Sequence, residues 1–241
     1  MDKRNIIKLY DVDSTNNYTL SLKESKLFKE GLVIISDFQT KGQGQRGSDW
    51  ESEKGKNLII SVVIEPNISI NKQFDISKIV SFSVMDCLLS LDVESKIKWP
   101  NDILVDNHKI AGILIQNVIF RNTISHSVIG IGLNVNQLIF DDYMPKATSL
   151  KLELNKNFIL EEIQNELLNS MQNRIKAYRS GTDTEAEYLN ALFQKDKAAF
   201  FESKSQKFKG IIRGVTDRGL LIIETENLIK NFDLKEIKML F

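Results

Sequence analysis

The chain has 241 residues, which is enough for one large domain, or for one domain with a small addition. Its 32 Lys and Arg residues balance 32 Asp and Glu residues, so the formal net charge is zero. Nucleic-acid-binding domains usually carry an excess of basic residues, and this balance disfavours DNA as a partner. No apolar run approaches the ~20 residues needed to span a bilayer, so we expect no membrane segment.

The cysteine and histidine content indicates in which cellular compartment the protein works and whether it binds zinc. The N-terminal residues lack the apolar stretch of a signal peptide, and the single cysteine, Cys87, cannot form an intrachain disulfide. Both features are typical of a reducing compartment, and we predict a cytoplasmic protein. The two histidines, His108 and His126, have no cysteine at a zinc-binding spacing, so we predict no structural zinc site and assign no metal-ligating residue from the sequence.

The first hundred residues contain both strand and helix patterns. Short apolar runs predict strands at 6–12, 32–38 and 58–64, and Ser14 or Thr15 is placed to cap a helix after the first strand. Residues 39–57 are polar and glycine-rich, which predicts a long loop. From residue 76, apolar residues at helical spacing predict a helix with one buried stripe, formed by Ile79, Val80, Val84, Cys87, Leu88 and Leu91.

The rest of the chain contains further predicted strands and helices up to about residue 195, and only short strands after that. Strands are predicted at 95–99, 109–120 and 126–135, with a hairpin turn at Asp106-Asn107, and helices at about 160–178 and 183–194. After about residue 195, short strands alternate with glycines and predict a small β barrel. The pattern predicts an α+β fold, a mostly antiparallel sheet with packed helices, with domains at 1–195 and 196–241.

The glycine-rich segment 42–47 has the pattern G-x-G-x-x-G after a strand. A dinucleotide-binding loop needs a helix to begin at the last glycine, but a polar stretch follows here. A phosphate-binding P-loop needs G-K-[ST], which is absent. Two interpretations remain open: an anion-binding loop that uses backbone N–H groups and Arg46, or an ordinary surface loop.

The segment Lys98-Trp99-Pro100-Asn101-Asp102 lies at the end of a predicted strand. Lys98 alternates with two apolar residues, so it points away from them on a half-buried strand. It is either an exposed lysine or an ammonium in a polar cleft, where it would stabilise carboxylate and phosphate oxygens together. Spacing alone favours the exposed lysine.

Several motifs occur in one order along nearly the whole chain, and together they resemble biotin protein ligases. The segments that carry the resemblance are Ser14-Thr15-Asn16, Gln39, the 42–47 loop with Trp50, residues 98–102, Lys109-Ile110-Ala111-Gly112-Ile113-Leu114, Gly130-Ile131-Gly132-Leu133-Asn134, and residues 147–150. No helical DNA-binding segment precedes Ser14, so the chain resembles the short form of the family. The resemblance implies a class II synthetase-like domain followed by an SH3-like barrel.

The resemblance implies a two-step reaction. Biotin and MgATP give biotinyl-5′-adenylate and pyrophosphate, and a lysine amine of a biotin carboxyl carrier protein then takes the biotinyl group and releases AMP. The alternatives are a lipoate or octanoyl ligase of the same superfamily, a biotin-responsive transcription regulator, and a non-catalytic biotin or adenylate binder. We also expect a monomer or a weak homodimer that binds neither DNA nor a membrane.

The resemblance also implies roles for individual residues. Lys98 and Arg46 would be catalytic. The biotin site would consist of Ser14, Thr15, Asn16, Gln39, Gly42, Gln43, Gly44, Gln45, Lys98 and Gly112. The nucleotide site would consist of Arg46, Trp50, Asn101, Asn134 and Thr148. Gln43 departs from the arginine usual in the family, and losing one charge-assisted contact costs about 1.5–3 kcal/mol.

Overall fold

The computed structural model describes residues 4–142, 144–226, 228–234 and 236–241, with the backbone but not the side chain of Arg46. Within these residues, one large mixed sheet and one small antiparallel sheet form the scaffold. The predicted α+β class is thereby confirmed. Among the described residues, no helix combines the length and apolar composition needed to cross a bilayer.

The large sheet has the strand order β1-β2-β3-β8-β7-β6-β5, and β4 pairs with β8. Only the pair β1 and β2 is parallel among the described pairings; the others are antiparallel. The strands are β1 (Asn5–Val12), β2 (Leu32–Gln39), β3 (Leu58–Ile64), β4 (Ile68–Ser69), β5 (Lys96–Lys98), β6 (Asp102–Val105), β7 (His108–Phe120) and β8 (Thr123–Leu133).

Helices cover both faces of this sheet. They are α1 (Thr15–Ser21), α2 (Gln73–Leu89), α3 (Leu150–Leu154), α4 (Leu160–Arg179) and α5 (Glu185–Ala191). Every residue of β3 is buried, because the strand is covered on both faces. Such strands are typically continuous apolar runs, as this one is apart from one serine. The main core lies between the sheet and α2 with α4, and a smaller core around Phe28, Leu32 and Ile34 lies on the α1 side.

The small sheet has the order β12-β11-β10-β9-β13, and all its described pairs are antiparallel. Its strands are β9 (Ala198–Ser203), β10 (Gln206–Val215), β11 (Leu221–Glu224), β12 (Ile229–Phe232) and β13 (Lys238–Leu240). This antiparallel sheet agrees with the SH3-like barrel expected for the tail. The boundary between residues 195 and 196 stays a prediction.

Local patterns predicted most elements, and the differences have identifiable physical causes. Helix α2 buries Lys78, Ser81 and Ser83 besides the predicted stripe, because both α4 and α5 pack on it. Cys87 of the stripe contacts the carbonyl of Ile163 in α4, whereas Lys78 contacts Glu185 and the Tyr188 ring of α5. Leu91 lies beyond the end of α2. Helix α3, with Ser149 as its cap, has no counterpart in the sequence-based prediction because five residues are too few to show helical periodicity.

Candidate functional site

A cavity of about 530 Å³ opens beside the glycine-rich loop. The start of α1, the end of β2, the loop 43–51, the first half of β7, the last residues of β8 and the turn after β5 contribute to its wall. Residues from β9, β10, β11 and β13 close it on another side, so both sheets shape the cavity. The part of the wall at the start of α1 is called the α1 end below, and Lys98 also belongs to the wall.

The α1 end of the cavity presents polar groups whose orientation is fixed by hydrogen bonds. Ser14 caps α1, and Thr15 is the first helical residue. The backbone N–H and the hydroxyl of Thr15 both donate to Oε1 of Gln39, at 2.7 and 2.9 Å. With Oε1 held by two donors, the Nε2 hydrogens of Gln39 are directed away from Thr15. Hydroxyl oxygens and amide donors therefore stand together at this end.

Asn16 is also buried, and its amide forms hydrogen bonds with other residues of the protein. Its Nδ2 donates to the carbonyl of Leu114 at 3.2 Å and to Oε1 of Gln116 at 2.8 Å, while its Oδ1 accepts from Ser61 at 2.7 Å. A Cβ at Gly130 would lie 2.5 Å from Oδ1 of Asn16. Asn16 thus shapes this end of the wall through protein contacts.

The glycine-rich loop folds back on itself as a short hairpin. The N–H of Trp50 donates to the carbonyl of Gly42 at 3.0 Å, and the N–H of Gly44 donates to the carbonyl of Ser48 at 2.6 Å. A Cβ at Gly42 would lie 2.2 Å from the carbonyl oxygen of Trp50, so this close approach requires glycine. A single 3-10 turn lies inside this hairpin, and the loop opens no α-helix, which agrees with rejecting the dinucleotide-binding interpretation.

Two glycines, one in β7 and one in β8, form a flat floor, and Trp50 lies on it. Gly112 and Gly132 are directly paired across the two strands. A Cβ at Gly132 would be 2.2 Å from Cε2 of Trp50, and one at Gly112 would be 2.9 Å from Cζ3. The indole N–H of Trp50 is buried with no hydrogen-bond partner among the described residues. The floor therefore accepts a flat ring against bare backbone.

Lys98 reaches the same floor through the register of the sheet. Lys98 pairs with Asp102, Asp102 with Gly112, and Gly112 with Gly132, which places all four in one row across β5, β6, β7 and β8. Paired residues of antiparallel strands share one face. The Lys98 side chain is 16% exposed and lines the cavity, so the polar-cleft interpretation agrees with the structure and the exposed-lysine interpretation does not.

Asp102 joins two ammonium groups. Its Oδ2 accepts from Nζ of Lys98 at 2.8 Å, and its Oδ1 lies 2.7 Å from Nζ of Lys109. Burial alone would raise the pKa of the Asp102 carboxyl, but the charges of Lys109 and Lys98 and their hydrogen bonds outweigh burial and hold that pKa below its ordinary value. The Nζ of Lys109 also lies 5.4 Å from the centre of the Trp50 ring.

A bulge explains why Lys109 faces the cavity. Lys109 precedes Gly112 by three residues, and an odd spacing on a regular strand would put the two on opposite faces. The pairing of β6 with β7 shifts between Ile103 and Leu104, so that Lys109 stands opposite Leu104. Leu104 shares a face with Asp102 two residues before it, and the bulge turns Lys109 to that face.

Three of the residues predicted to bind the nucleotide line the cavity, and Thr148 does not. Trp50, Asn101 and Asn134 line the cavity. The amide of Asn101 donates to the carbonyl of Ile113 at 2.8 Å, and that of Asn134 donates to the carbonyl of Thr148 at 2.9 Å. Thr148 does not line the cavity in the described structure; its hydroxyl donates to Glu153. The side chain of Arg46 lies outside the described residues.

The predicted biotin residues are brought together except for one. The cavity wall includes Ser14, Thr15, Asn16, Gln39, Gln43, Gly44, Gln45, Lys98 and Gly112. Gly42 supports the loop from behind, because it is the residue against which Trp50 closes the hairpin. Their contacts with ligands stay predictions, since the geometry brings these residues together without showing what they bind.

Sequence reasoning missed Asp102, Lys109 and the wall supplied by the small sheet. Asp102 belongs to the same five-residue motif as Lys98, but an aspartate after Pro-Asn is also typical of a turn, which hides its role. The sequence pattern predicts the tail as a separate addition, yet Phe201, Ile212 and Met239 line the cavity. The indole N–H of Trp99 also donates to the carbonyl of Gly219 at 2.9 Å, which joins the motif to the turn before β11.

Comparisons with known proteins agree with this geometry. The family model of the Biotin/lipoate A/B protein ligase family matches residues 9–134. The Bacillus subtilis bifunctional ligase/repressor BirA is 25% identical over 236 residues, covering 95% of this chain and 73% of that protein. The biotin–[acetyl-CoA-carboxylase] ligase of Mycobacterium tuberculosis is 29% identical over 223 residues, covering 88% of this chain and 80% of that protein.

A solved structure gives the same fold. The biotin protein ligase from Aquifex aeolicus, in complex with biotin and ATP, superimposes with a TM-score of 0.79 at 24% identity and covers 98% of this chain and 99% of that one. The fold is thus that of the biotin protein ligases. Because the family model spans more than half of the sequence, the chain belongs to the Biotin/lipoate A/B protein ligase family. The resemblance predicted from the sequence motifs is confirmed.

Proposed function

We propose that this chain is an ATP-dependent biotin protein ligase. The observation that carries the proposal is the Lys98 ammonium, held by Asp102 at a cavity that also contains the polar α1 end and the glycine floor. One cavity then holds a small carboxylic acid and a nucleotide side by side. The names and bound ligands of the relatives and of the Aquifex aeolicus structure support biotin and ATP as the two substrates.

The first step joins the two substrates. A carboxylate oxygen of biotin attacks the α-phosphorus of ATP, the bond to the β-phosphate oxygen breaks, and pyrophosphate leaves. Negative charge accumulates where the two anions meet, and the ammonium of Lys98 is placed to stabilise it. We propose that ATP enters as its Mg²⁺ complex, because Mg²⁺ binds mainly to substrate phosphates. Holding both reactants together can supply roughly 7–11 kcal/mol of the barrier.

The second step transfers the acyl group. The amine of a carrier lysine attacks the carbonyl carbon of the mixed anhydride, the carbon–oxygen bond to AMP breaks, and an amide forms with loss of one amine proton. A biotin carboxyl carrier protein is the acceptor that we propose. Neither step needs a nucleophilic side chain of the enzyme, and the arrangement of amides, hydroxyls and ammonium groups suits positioning and charge neutralisation.

The polar α1 end would recognise the head of biotin. The hydroxyl oxygens of Ser14 and Thr15 can accept from the ureido N–H groups, and the Nε2 hydrogens of Gln39 can donate to the ureido carbonyl. Trp50, which lies on the glycine floor, would stack against the flat base of the nucleotide, with Asn134 beside it. Arg46 is proposed as a further phosphate contact on the strength of the motif alone.

A cytoplasmic location is part of the proposal. The single cysteine supports it, since a protein built for an oxidising compartment commonly uses cysteine pairs. Cys87 is buried, and burial raises the pKa of its thiol to about 12, so the thiol stays protonated and unreactive.

The decisive experiment is isotope exchange between pyrophosphate and ATP, run with biotin and with lipoate in parallel. We expect exchange with biotin and little with lipoate. Lys98→Ala should lower the biotin-dependent rate by roughly 100-fold or more, because it removes one aligned electrostatic donor. Lys96→Ala, an exposed lysine on the same strand that lies outside the cavity, is the matched control.

The outcomes separate the candidate functions. Exchange that depends on lipoate alone would identify a lipoate ligase, and binding of biotin without exchange would identify a non-catalytic binder. Unchanged exchange in Lys98→Ala would remove Lys98 from the mechanism.

A further inference from the structure

The carboxylate of Asp102 is the only described acidic group in contact with either cavity lysine, and it contacts both. The three side chains are partly withdrawn from water, with exposures of 16%, 11% and 28% for Lys98, Asp102 and Lys109. Removing the carboxylate would leave two positive charges facing each other across the space it now occupies. Such a pair would separate, because like charges in a weakly solvated site repel strongly.

The backbone around Asp102 makes this arrangement rigid. Asp102 begins β6 and is paired on one side with Lys98 of β5 and on the other with Gly112 of β7. The carbonyl of Asn101 accepts from the N–H of Ile113 at 3.0 Å, which ties the preceding turn to β7. Strand pairing therefore fixes the carboxylate, and the carboxylate fixes the two flexible lysine side chains.

The two ammonium groups face different parts of the cavity. Lys109 lies beside the glycine floor, with its Nζ 3.3 Å from the position of a Cβ at Gly112 and against the Trp50 ring. Lys98 lies on the side of the small sheet, with its Nζ 5.9 Å from the centre of the Phe241 ring. The Asp102 carboxylate thus holds one ammonium group near the glycine floor and another near the small sheet.

We propose that Asp102 is a positioning residue of the ligase reaction, which holds the Lys98 and Lys109 ammonium groups as a pair aimed at the phosphate charge of the reaction. This inference rests on the proposed function. In this role Asp102 acts on the reaction through the two lysines and not through the reacting atoms. Since Lys98 and Lys109 hold the pKa of its carboxyl below the ordinary value, it remains ionised and is a poor proton acceptor, so it acts through the lysines.

The test uses the biotin-dependent exchange assay on the full chain. Asp102→Asn keeps the shape and removes the charge, and we expect the maximal exchange rate to fall roughly 30-fold or more while the KM for biotin changes less than about threefold. Asp106→Asn removes one carboxylate from the exposed turn at the other end of β6 and is the matched control. Residue 106 has a φ of 51°, which asparagine tolerates.

Two further variants separate positioning from a purely structural role. Asp102→Glu retains the charge and should exceed the rate of Asp102→Asn at least about tenfold. If Asp102 acts through the lysines, the loss in Asp102→Asn/Lys109→Gln should be at least about tenfold smaller than the product of the two single losses. Equal rates for the Glu and Asn variants, or losses that multiply, would overturn the inference, even if Asp102→Asn folds poorly.

The failure of the inference and of the proposed function are distinguishable. A wild-type chain without biotin-dependent exchange would contradict the function. A wild-type chain with exchange and an Asp102→Asn variant within about threefold of it would contradict only the role of Asp102.

Discussion

Replacing Gly132 by alanine tests whether the glycine floor is the surface on which a flat ring lies. The new Cβ would stand 2.2 Å from Cε2, 2.4 Å from Cζ2 and 2.7 Å from Nε1 of Trp50. Non-bonded carbons rest about 3.5–4.0 Å apart, so the indole must retreat by more than roughly 1 Å. The backbone cannot yield instead, because Gly132 is paired on both sides, with Ile59 and Gly112.

Displacing the indole is expected to lower the free energy of unfolding. Inserting a methyl group into a packed site costs about 1–3 kcal/mol, which lowers the Tm of a chain of this length by about 2–4 °C per kcal/mol. A nucleotide base stacked on Trp50 would lose its alignment when the indole is displaced. We therefore expect the affinity for ATP, and for a non-hydrolysable adenylate analogue, to fall about tenfold or more, which corresponds to about 1.4 kcal/mol.

Calorimetric titration of wild-type and Gly132→Ala protein with the adenylate analogue measures this loss. Gly214→Ala is the matched control, because Gly214 is also a strand glycine but lies outside the cavity wall, and its Cβ would meet only the end of the Leu189 side chain, at 3.1 Å. If Gly132→Ala bound the analogue as tightly as wild type at an unchanged Tm, the floor would have no part in ligand binding.

Two further predictions concern charge. Glu30 accepts two hydrogen bonds from Arg179, which lower its pKa from 4.5 to about 2, so its stabilisation is present above pH 4.5 and lost as the pH falls toward 2. Glu30→Gln should therefore destabilise by about 1–2 kcal/mol at neutral pH, after allowance for solvent screening, and flatten the fall of Tm below about pH 5; a Tm profile parallel to that of exposed Glu24→Gln would contradict this. Gln43→Arg should tighten the adenylate analogue about tenfold or more, and more than Gln43→Lys, because only a guanidinium grips phosphate with two parallel hydrogen bonds. Equal affinities of wild type and Gln43→Arg would show that the loop needs no second arginine.

Sequence periodicity predicted the elements because their signals are local. The helix cap at Ser14, the strand at 58–64 and the long helix from residue 160 follow from side-chain chemistry within a few residues. Helix α3 and the additional buried residues of α2 did not follow, because the first is too short to show helical periodicity and the second are buried by tertiary contacts, such as that of Lys78 with Glu185 of α5.

The sequence motifs likewise predict most of the cavity wall. Lys98, Gln39 and the Ser14-Thr15-Asn16 segment all belong to these motifs, and the fold brings them to one cavity. The motifs do not reveal that the amide of Asn16 is used by Ser61 and Gln116, since those partners lie 45 and 100 residues away.

By itself, then, the sequence determined which chemical groups the protein has and in which elements they lie. Only the tertiary structure decided that Asp102 holds two lysines. A bulge in the pairing of β6 with β7 places Lys109 on the same face as Asp102, whereas regular pairing would place it on the opposite face. The small sheet likewise became a wall of the cavity through contacts such as that of Trp99 with Gly219. Period and composition describe each segment alone, whereas register and packing between distant segments decide which side chains meet.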